Sequence, residues 1–296
     1  MQFQTLVSDS KSLSGNIGVM FADDELIISA IIKILKQTNA HVTLYGIKDP
    51  TELIRSFNID GDFLNRIHLR TFEDKENVYK KCADDLTNSS IDVLMKGNVS
   101  SAEILSFILQ HKSFIDENNF LNHVACFEIP SYHKMLMISD VALNILPSID
   151  DRIKMIKNIE SFSKGIGYNH LNIGLLSSVE KPTNKIPSSI DAAEISMHFS
   201  DDSFVSVEGP FGFDNAIDKE SAIEKGLESD IAGNLDALIV PYLDVGNTLY
   251  KSLTYFAHAK VASLILGATF PVILTSRSDT IENKVNSAIL ALRTLL

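Results

Sequence analysis

Short apolar, β-rich runs alternate with amphipathic helical stretches along almost the whole chain, and this alternation limits the fold more than any other feature. Residues 16–22 (NIGVMFA) have the composition of a buried strand. Residues 23–37 follow with helical periodicity and acids at their start, where the helix dipole favours negative charge. Residues 41–45, 67–72 and 91–95 repeat the strand pattern, with helical stretches at 51–57, 76–87 and 100–110 between them. A βαβα rhythm predicts a mostly parallel sheet covered on both faces, joined by right-handed crossovers.

The rhythm changes at 123–139, where two strand-like runs flank Pro130-Ser131-Tyr132-His133 and predict a hairpin. After a break at 147–151 the alternation resumes. Strands are expected at 171–176, 204–208 and 236–241, and helices at 189–199, 219–226 and 246–258. Strands at 261–266 and 272–275 and a closing helix from Asp279 complete the chain. The break predicts two α/β lobes, residues 1–148 plus 277–296 and residues 149–276, with the last helix returning to the first lobe.

Composition narrows the functions available. With 296 residues, 45% of them hydrophobic and 22% charged, the chain can bury a full core and shows no signature of disorder. A net charge of −12 would repel a nucleic-acid backbone, so nucleic-acid binding is disfavoured. An anionic ligand would need a local cluster of Lys, Arg and backbone N–H groups set in an otherwise negative surface. Cys82 and Cys126 stand far apart, with no metal-ligand spacing, and are expected to be core thiols of a cytoplasmic protein. No signal pattern is evident, and the most apolar stretch, 261–275, is broken by Gly267 and Pro271, which argues against a membrane span.

Ligands of open α/β sheets bind beyond the carboxyl ends of strands, and four post-strand loops there are unusual. In the first, Met95-Lys96-Gly97-Asn98-Val99-Ser100-Ser101, the Lys96 charge and the N-terminus of the next helix suit an anion. The same residues also suit an ordinary cap with a surface lysine. The second, 208–216, packs glycine and proline before Asp214 and Asn215, either of which can bind ligand or cap a helix. In the third, 241–251, Gly246-Asn247 is expected to open a helix with Lys251 one turn on, placing an amide and an ammonium at its positive end. The fourth, Leu274-Thr275-Ser276-Arg277-Ser278-Asp279, offers hydroxyls, a guanidinium able to grip phosphate, and a carboxylate.

Taken in order, these loops resemble those of the phosphate acetyl/butyryltransferase family, and its butyryltransferase branch most. The similar segments are 92–105 (DVLMKGNVSSAEIL), 123–130 (HVACFEIP), 139–144 (SDVALN), 191–193 (DAA), 209–217 (GPFGFDNAI) and 225–233 (KGLESDIAG). The last is 236–280, with VPYLDVGNTLYKSLTYFAHAKVA and TSRSD. The resemblance implies a two-domain α/β/α fold like that of isocitrate and isopropylmalate dehydrogenases, mostly parallel sheets with the site in a cleft between lobes. It implies the exchange acyl-CoA + phosphate ⇌ acyl phosphate + CoA, no cofactor beyond these substrates, no metal, and a homodimer or higher homo-oligomer. Ser276 and Arg277 carry over as site residues. Lys96, Gly97, Asp214, Asn215, Asn247 and Lys251 match motif positions and are assigned to substrate binding. The sequence departs from the family pattern twice. Where an Arg-Thr-Gly segment is expected before the 123–130 strand, the chain reads Lys112-Ser113-Phe114-Ile115-Asp116-Glu117, so an arginine contact is either missing or replaced by Lys112. The base carboxylate of the acetyl branch, seven residues after Ser276, is Asn283 here. Asp279 is therefore the expected base, with Glu282 and Asp214 as rivals. Phe211 and Phe213 are candidates for shaping the acyl pocket, though core packing is the more usual role of such residues.

Three functions remain in play: the butyryl-type transfer, the same transfer with acetyl-CoA, and a CoA- or acyl-phosphate-binding regulator without turnover. A dehydrogenase use of the fold would require an acidic metal cluster and a nucleotide loop, neither of which is evident.

Overall fold

The computed structural model describes residues 1–276 and 279–296. Eleven strands occur in its sheets: β1 (Asn16–Met20), β2 (His41–Gly46), β3 (Ile67–Thr71), β4 (Val93–Lys96), β5 (Asn122–Glu128), β6 (Leu136–Ser139), β7 (Leu171–Leu176), β8 (Val205–Phe211), β9 (Ala237–Ile239), β10 (Lys260–Leu266) and β11 (Val272–Ile273). The chain divides into two compact units. The outer unit comprises Leu6–Glu117 and Ala262–Leu296, and the inserted unit Met1–Thr5 and Asn118–Val261.

In the outer unit the strand order is β3-β2-β1-β4-β11-β10. All pairs are parallel except β10 with β11. β1 and β4 are apolar because both of their faces are covered: Ile17, Val19, Val93, Leu94 and Met95 are fully buried. β3, at the edge, is largely exposed. The helix Glu25–Gln37 buries Ile27, Ile28, Ile31, Ile34 and Leu35 on one stripe, and Asp24 caps it by accepting the Ile27 N–H at 2.9 Å. Each such side chain contributes about 1.5–3 kcal/mol on burial. That helix packs on the closing helix Ile281–Arg293, which is buried from Lys284 through Leu292.

In the inserted unit the order is β5-β6-β9-β7-β8. β5 and β6 form the expected antiparallel hairpin and the remaining pairs are parallel. The core beneath them includes Phe127, Leu136, Ile138, Phe211, Leu235 and Leu238. Both cysteines are free and buried, and burial pushes the Cys126 thiol up to about 12.

The units divide elsewhere than at the expected residues 148 and 276. β6 pairs with β9, a partner about a hundred residues further along the chain, so the hairpin belongs to the inserted unit and the crossing falls at Glu117/Asn118. The expected break at 147–151 is itself a helix start. Ser148 and Asp151 form a reciprocal capping box at the head of the 17-residue helix Ile149–Gly165. Among the described residues no helix is long and apolar enough to cross a membrane.

Candidate functional site

Two of the four loops meet in the outer unit. β4 lies between β1 and β11, so its carboxyl end sets Lys96 beside the end of β1 and the loop after β11. The Gly97 N–H donates to Met20 O at 2.9 Å and the Asn98 N–H to Phe21 O at 2.7 Å. A Cβ on Gly97 would lie 2.5 Å from both carbonyl oxygens, so the loop closes on β1 only with glycine there. Lys96 is buried, and its Nζ donates to Gly97 O at 3.4 Å and Thr275 O at 3.5 Å. An ammonium taken out of water needs such acceptors.

Ser276 is exposed, while buried charged side chains hold its backbone from both directions. Its N–H donates to Asp279 Oδ2 at 2.6 Å, and its carbonyl accepts from Lys284 Nζ at 2.7 Å. Lys284 Nζ also donates to Thr275 Oγ1 at 3.2 Å. Burial lowers the Lys284 pKa, and the nearby carboxylates of Asp279 and Asp24 act to raise it. The closing helix is capped by Thr280, which accepts the Asn283 N–H at 3.1 Å, so Asp279 has a different task from capping. Glu282 forms a surface ion pair with Lys33. Arg277 lies outside the described residues.

The helix Ser101–Leu109 does not offer the free N-terminus expected beside Lys96. Ser100 and Glu103 form a reciprocal capping box there. Glu103 also accepts from Lys75 at 2.8 Å, and these bonds hold its carboxyl well below the usual range, at about 2. A carboxylate already occupies the positive helix end. Lys112 makes a poor substitute for the absent arginine. It is exposed, and its neighbours Ser113 and Phe114 line a cavity with Ile91 and Asp92, at the amino end of β4 and opposite to Lys96.

In the inserted unit β8 runs on through Gly209 and Pro210 to Phe211, so the expected loop starts three residues later. Asp214 caps no helix: Gly212 heads the helix Phe213–Ile217, and the next is capped by Asp218. Instead, Lys225 Nζ lies 2.8 Å from Asp214 Oδ2 and donates to Glu180 Oε1 at 2.7 Å. Asn215, fully buried, donates through Nδ2 to the same Glu180 oxygen at 2.8 Å. Bonds to Lys225 lower the pKa of both carboxyls, and the two carboxylates raise that of Lys225. With two carboxylates on one ammonium, the cluster is net negative and its cation is already engaged. Glu180, in the loop after β7, carries no periodic or motif signal and sequence reasoning missed it.

Asn247 and Lys251 stand one turn apart, yet the helix opens earlier than expected, at Leu243. Gly246 lets it approach the loop after β6 closely: a Cβ there would meet Asp140 O at 2.0 Å. Asn247 Nδ2 donates to Val141 O at 3.2 Å, and Lys251 Nζ lies 5.1 Å from the centre of the Tyr250 ring. The loop they pack on is organised by Asp140, a buried carboxylate that sequence reasoning also passed over. It accepts the N–H groups of His123 (3.0 Å), Ala142 (2.8 Å) and Leu143 (2.7 Å) and the Asn144 amide (2.7 Å). Phe211 is buried in the core and Phe213 packs against it. Among the described residues no group of three or more His, Cys, Asp or Glu is arranged to hold a metal ion.

The model of the phosphate acetyl/butaryl transferase family matches residues 81–292. A protein of Bacillus subtilis (strain 168) named as a probable phosphate butyryltransferase is 34% identical over 279 residues, spanning 93% of this chain and 92% of that protein. The solved structure of a branched-chain phosphotransacylase from Enterococcus faecalis V583 is 31% identical with a TM-score of 0.85, over 95% of this chain and 98% of that one. A 4-hydroxythreonine-4-phosphate dehydrogenase from Klebsiella pneumoniae shares the fold alone, at 11% identity and a TM-score of 0.58, over 95% of this chain and 100% of that one. The match runs through every loop described above, and the chain accordingly belongs to the phosphate acetyl/butaryl transferase family and is an acyltransferase.

Proposed function

We propose that this enzyme converts acyl-CoA and phosphate to acyl phosphate and CoA by direct transfer, with butyryl or a similar short or branched acyl group preferred over acetyl. The observation that carries this reading is the exposed Ser276, fixed through its backbone by Asp279 and Lys284 beside the buried ammonium of Lys96. Its hydroxyl suits the oxyanion of a tetrahedral intermediate, as a donor carried on a backbone bonded at both its N–H and its carbonyl. Arg277 is assigned to the phosphate group, and Lys96 adds positive charge beside Thr275.

In the forward direction an oxygen of hydrogen phosphate attacks the thioester carbonyl, forming a C–O bond while the carbonyl electron pair moves to oxygen. The phosphate proton passes to the base, for which Asp279 is the nearest described carboxylate to Ser276. The oxyanion collapses, the C–S bond breaks, and the thiolate takes up that proton, giving acyl phosphate and CoA. In reverse, the base takes the thiol proton. Holding the two substrates together removes any need for a protein nucleophile. The buried Cys82 and Cys126 play no part, and their free state suits a reducing compartment such as the cytoplasm. Substrates serve without a further cofactor, and the two compact units are taken as the two domains of the enzyme. Asp214, Asn215, Asn247 and Lys251 are kept as substrate-binding candidates, tested by the effect of alanine variants on the CoA Michaelis constant. The reading as a whole is tested by following CoA release from butyryl-CoA and phosphate. Release independent of phosphate, or none, overturns it.

A further inference from the structure

We infer that Lys284, which no motif of the family resemblance singles out, is a positioning residue that fixes the Ser276 backbone for acyl transfer. The inference rests on the phosphotransacylase reading above. The closing helix could carry an aliphatic residue at this position, since its neighbours Val285, Ala288 and Ile289 are all buried and apolar. A lysine stands there instead, only 4% exposed, and burying an ammonium costs free energy unless it is bonded. Its bonds go to one place. Nζ donates to Ser276 O at 2.7 Å and to Thr275 Oγ1 at 3.2 Å.

Asp279 completes the arrangement from the other end of the same residue, accepting the Ser276 N–H at 2.6 Å. The Ser276 backbone is thus gripped by a buried cation at its carbonyl and a buried anion at its amide, with the side chain left exposed. Charge-assisted bonds of this kind are about twice as strong as neutral ones. The grip also explains how Ser276, an exposed residue, can keep a defined backbone position. Lys284 is buried and directs its donors to Ser276 O and Thr275 Oγ1, so it acts through Ser276. A loss of about 1 Å in placement costs on the order of 10²-fold in rate.

The test uses the full-length enzyme with butyryl-CoA and phosphate. Lys284→Met keeps the length and apolar stem and removes the charge. The expected result is a fall in kcat of about 10²-fold. Both Michaelis constants should stay within about threefold, for a population shown by circular dichroism and melting to be folded, because positioning concerns the reacting geometry and not substrate affinity. Lys284→Arg should recover part of that loss, since its guanidinium can still donate to the Ser276 carbonyl. If Lys284→Met does not fold, Lys284→Gln is judged by the same kcat and KM criteria. Wild-type turnover with an unchanged kcat in the folded variant overturns this inference alone. So does a loss confined to KM, or an arginine variant no better than the neutral one. A wild-type chain without phosphate-dependent CoA release overturns the functional reading and this inference with it.

Discussion

Asp279 reaches back to accept the backbone N–H of Ser276 at 2.6 Å, leaving Thr280 to cap the closing helix. A carboxylate has two oxygens and about four lone-pair sites, so accepting this N–H does not by itself prevent it from taking a proton. Asp279→Asn separates the two tasks, because the amide oxygen can still accept from Ser276 but cannot act as a base. The expected outcome is a fall in kcat of about 10²–10⁴ with near-normal Michaelis constants and loss of the acidic limb of the pH–rate profile. Retained turnover and an intact limb would leave Asp279 as a loop brace only, and would turn attention to Asp214→Asn and Glu282→Gln.

Arg277, adjoining this clamped serine, is expected to grip phosphate with both arms of its guanidinium. Arg277→Ala should raise the phosphate Michaelis constant at least tenfold, roughly 1.4 kcal/mol, with little change in melting temperature. Arg277→Lys should restore only part of the affinity, since a point charge lacks the planar fork. Steady-state kinetics at varied phosphate decide it, and an alanine variant with wild-type constants removes Arg277 from the site.

Gly97 is a steric requirement. An added methyl group at 2.5 Å from Met20 O and Phe21 O meets backbone, which cannot turn aside as a side chain can. Gly97→Ala should therefore lower stability by about 1–3 kcal/mol and displace Lys96, reducing turnover beyond what the folded fraction accounts for. Urea unfolding alongside kinetics distinguishes these two effects. A variant of wild-type stability would show that the loop has room to shift.

The capping box beside Lys96 predicts an acid dependence of stability. Bonds to Lys75 and Ser100 hold the Glu103 carboxyl at about 2, below its ordinary value of 4.5. A group whose folded pKa is depressed stabilises above its unfolded pKa, and that stabilisation is lost as pH falls through the folded value. The wild type should thus lose this contribution between about pH 4.5 and 2, and Glu103→Gln should flatten that part of the curve. Glu103 is surface-exposed and screened, so the effect is small. Ser100→Ala should cost about 0.5–2 kcal/mol at neutral pH. Melting temperatures across this range check both.

Much of the framework was legible because burial on both faces of a parallel sheet leaves apolar runs. β1 and β7 fall within expected segments, and β2, β4, β10 and the β5–β6 hairpin match theirs to within two residues at either end. The 17-residue helix from Ile149 was missed because Pro147-Ser148-Ile149-Asp150-Asp151 resembles a turn. Ser148 and Asp151 use the same polar chemistry to start a helix as they would to end a strand. The unit boundary was misplaced because membership depends on which distant strand β6 finds, and local periodicity carries no such information. At the site, Lys96 and Ser276 stood out as loop residues and the structure brings their loops together. Lys284 and Glu180 did not stand out. A lone lysine in a helix looks solvent-facing until the fold buries it, and Glu180 gains meaning only from Asn215 and Lys225, 35 and 45 residues away.

The most direct test of the account follows CoA release and acyl phosphate formation by the purified chain, with acetyl-, butyryl- and isobutyryl-CoA at varied phosphate. The account predicts strictly phosphate-dependent release, one acyl phosphate formed per CoA. It further predicts greater catalytic efficiency for the four-carbon substrates than for acetyl-CoA, each methylene contributing about 1–3 kcal/mol of discrimination. Preference for acetyl-CoA would contradict the acyl assignment and place the enzyme with the acetyl branch. Binding of CoA without any turnover would contradict the catalytic claim itself and leave a regulator.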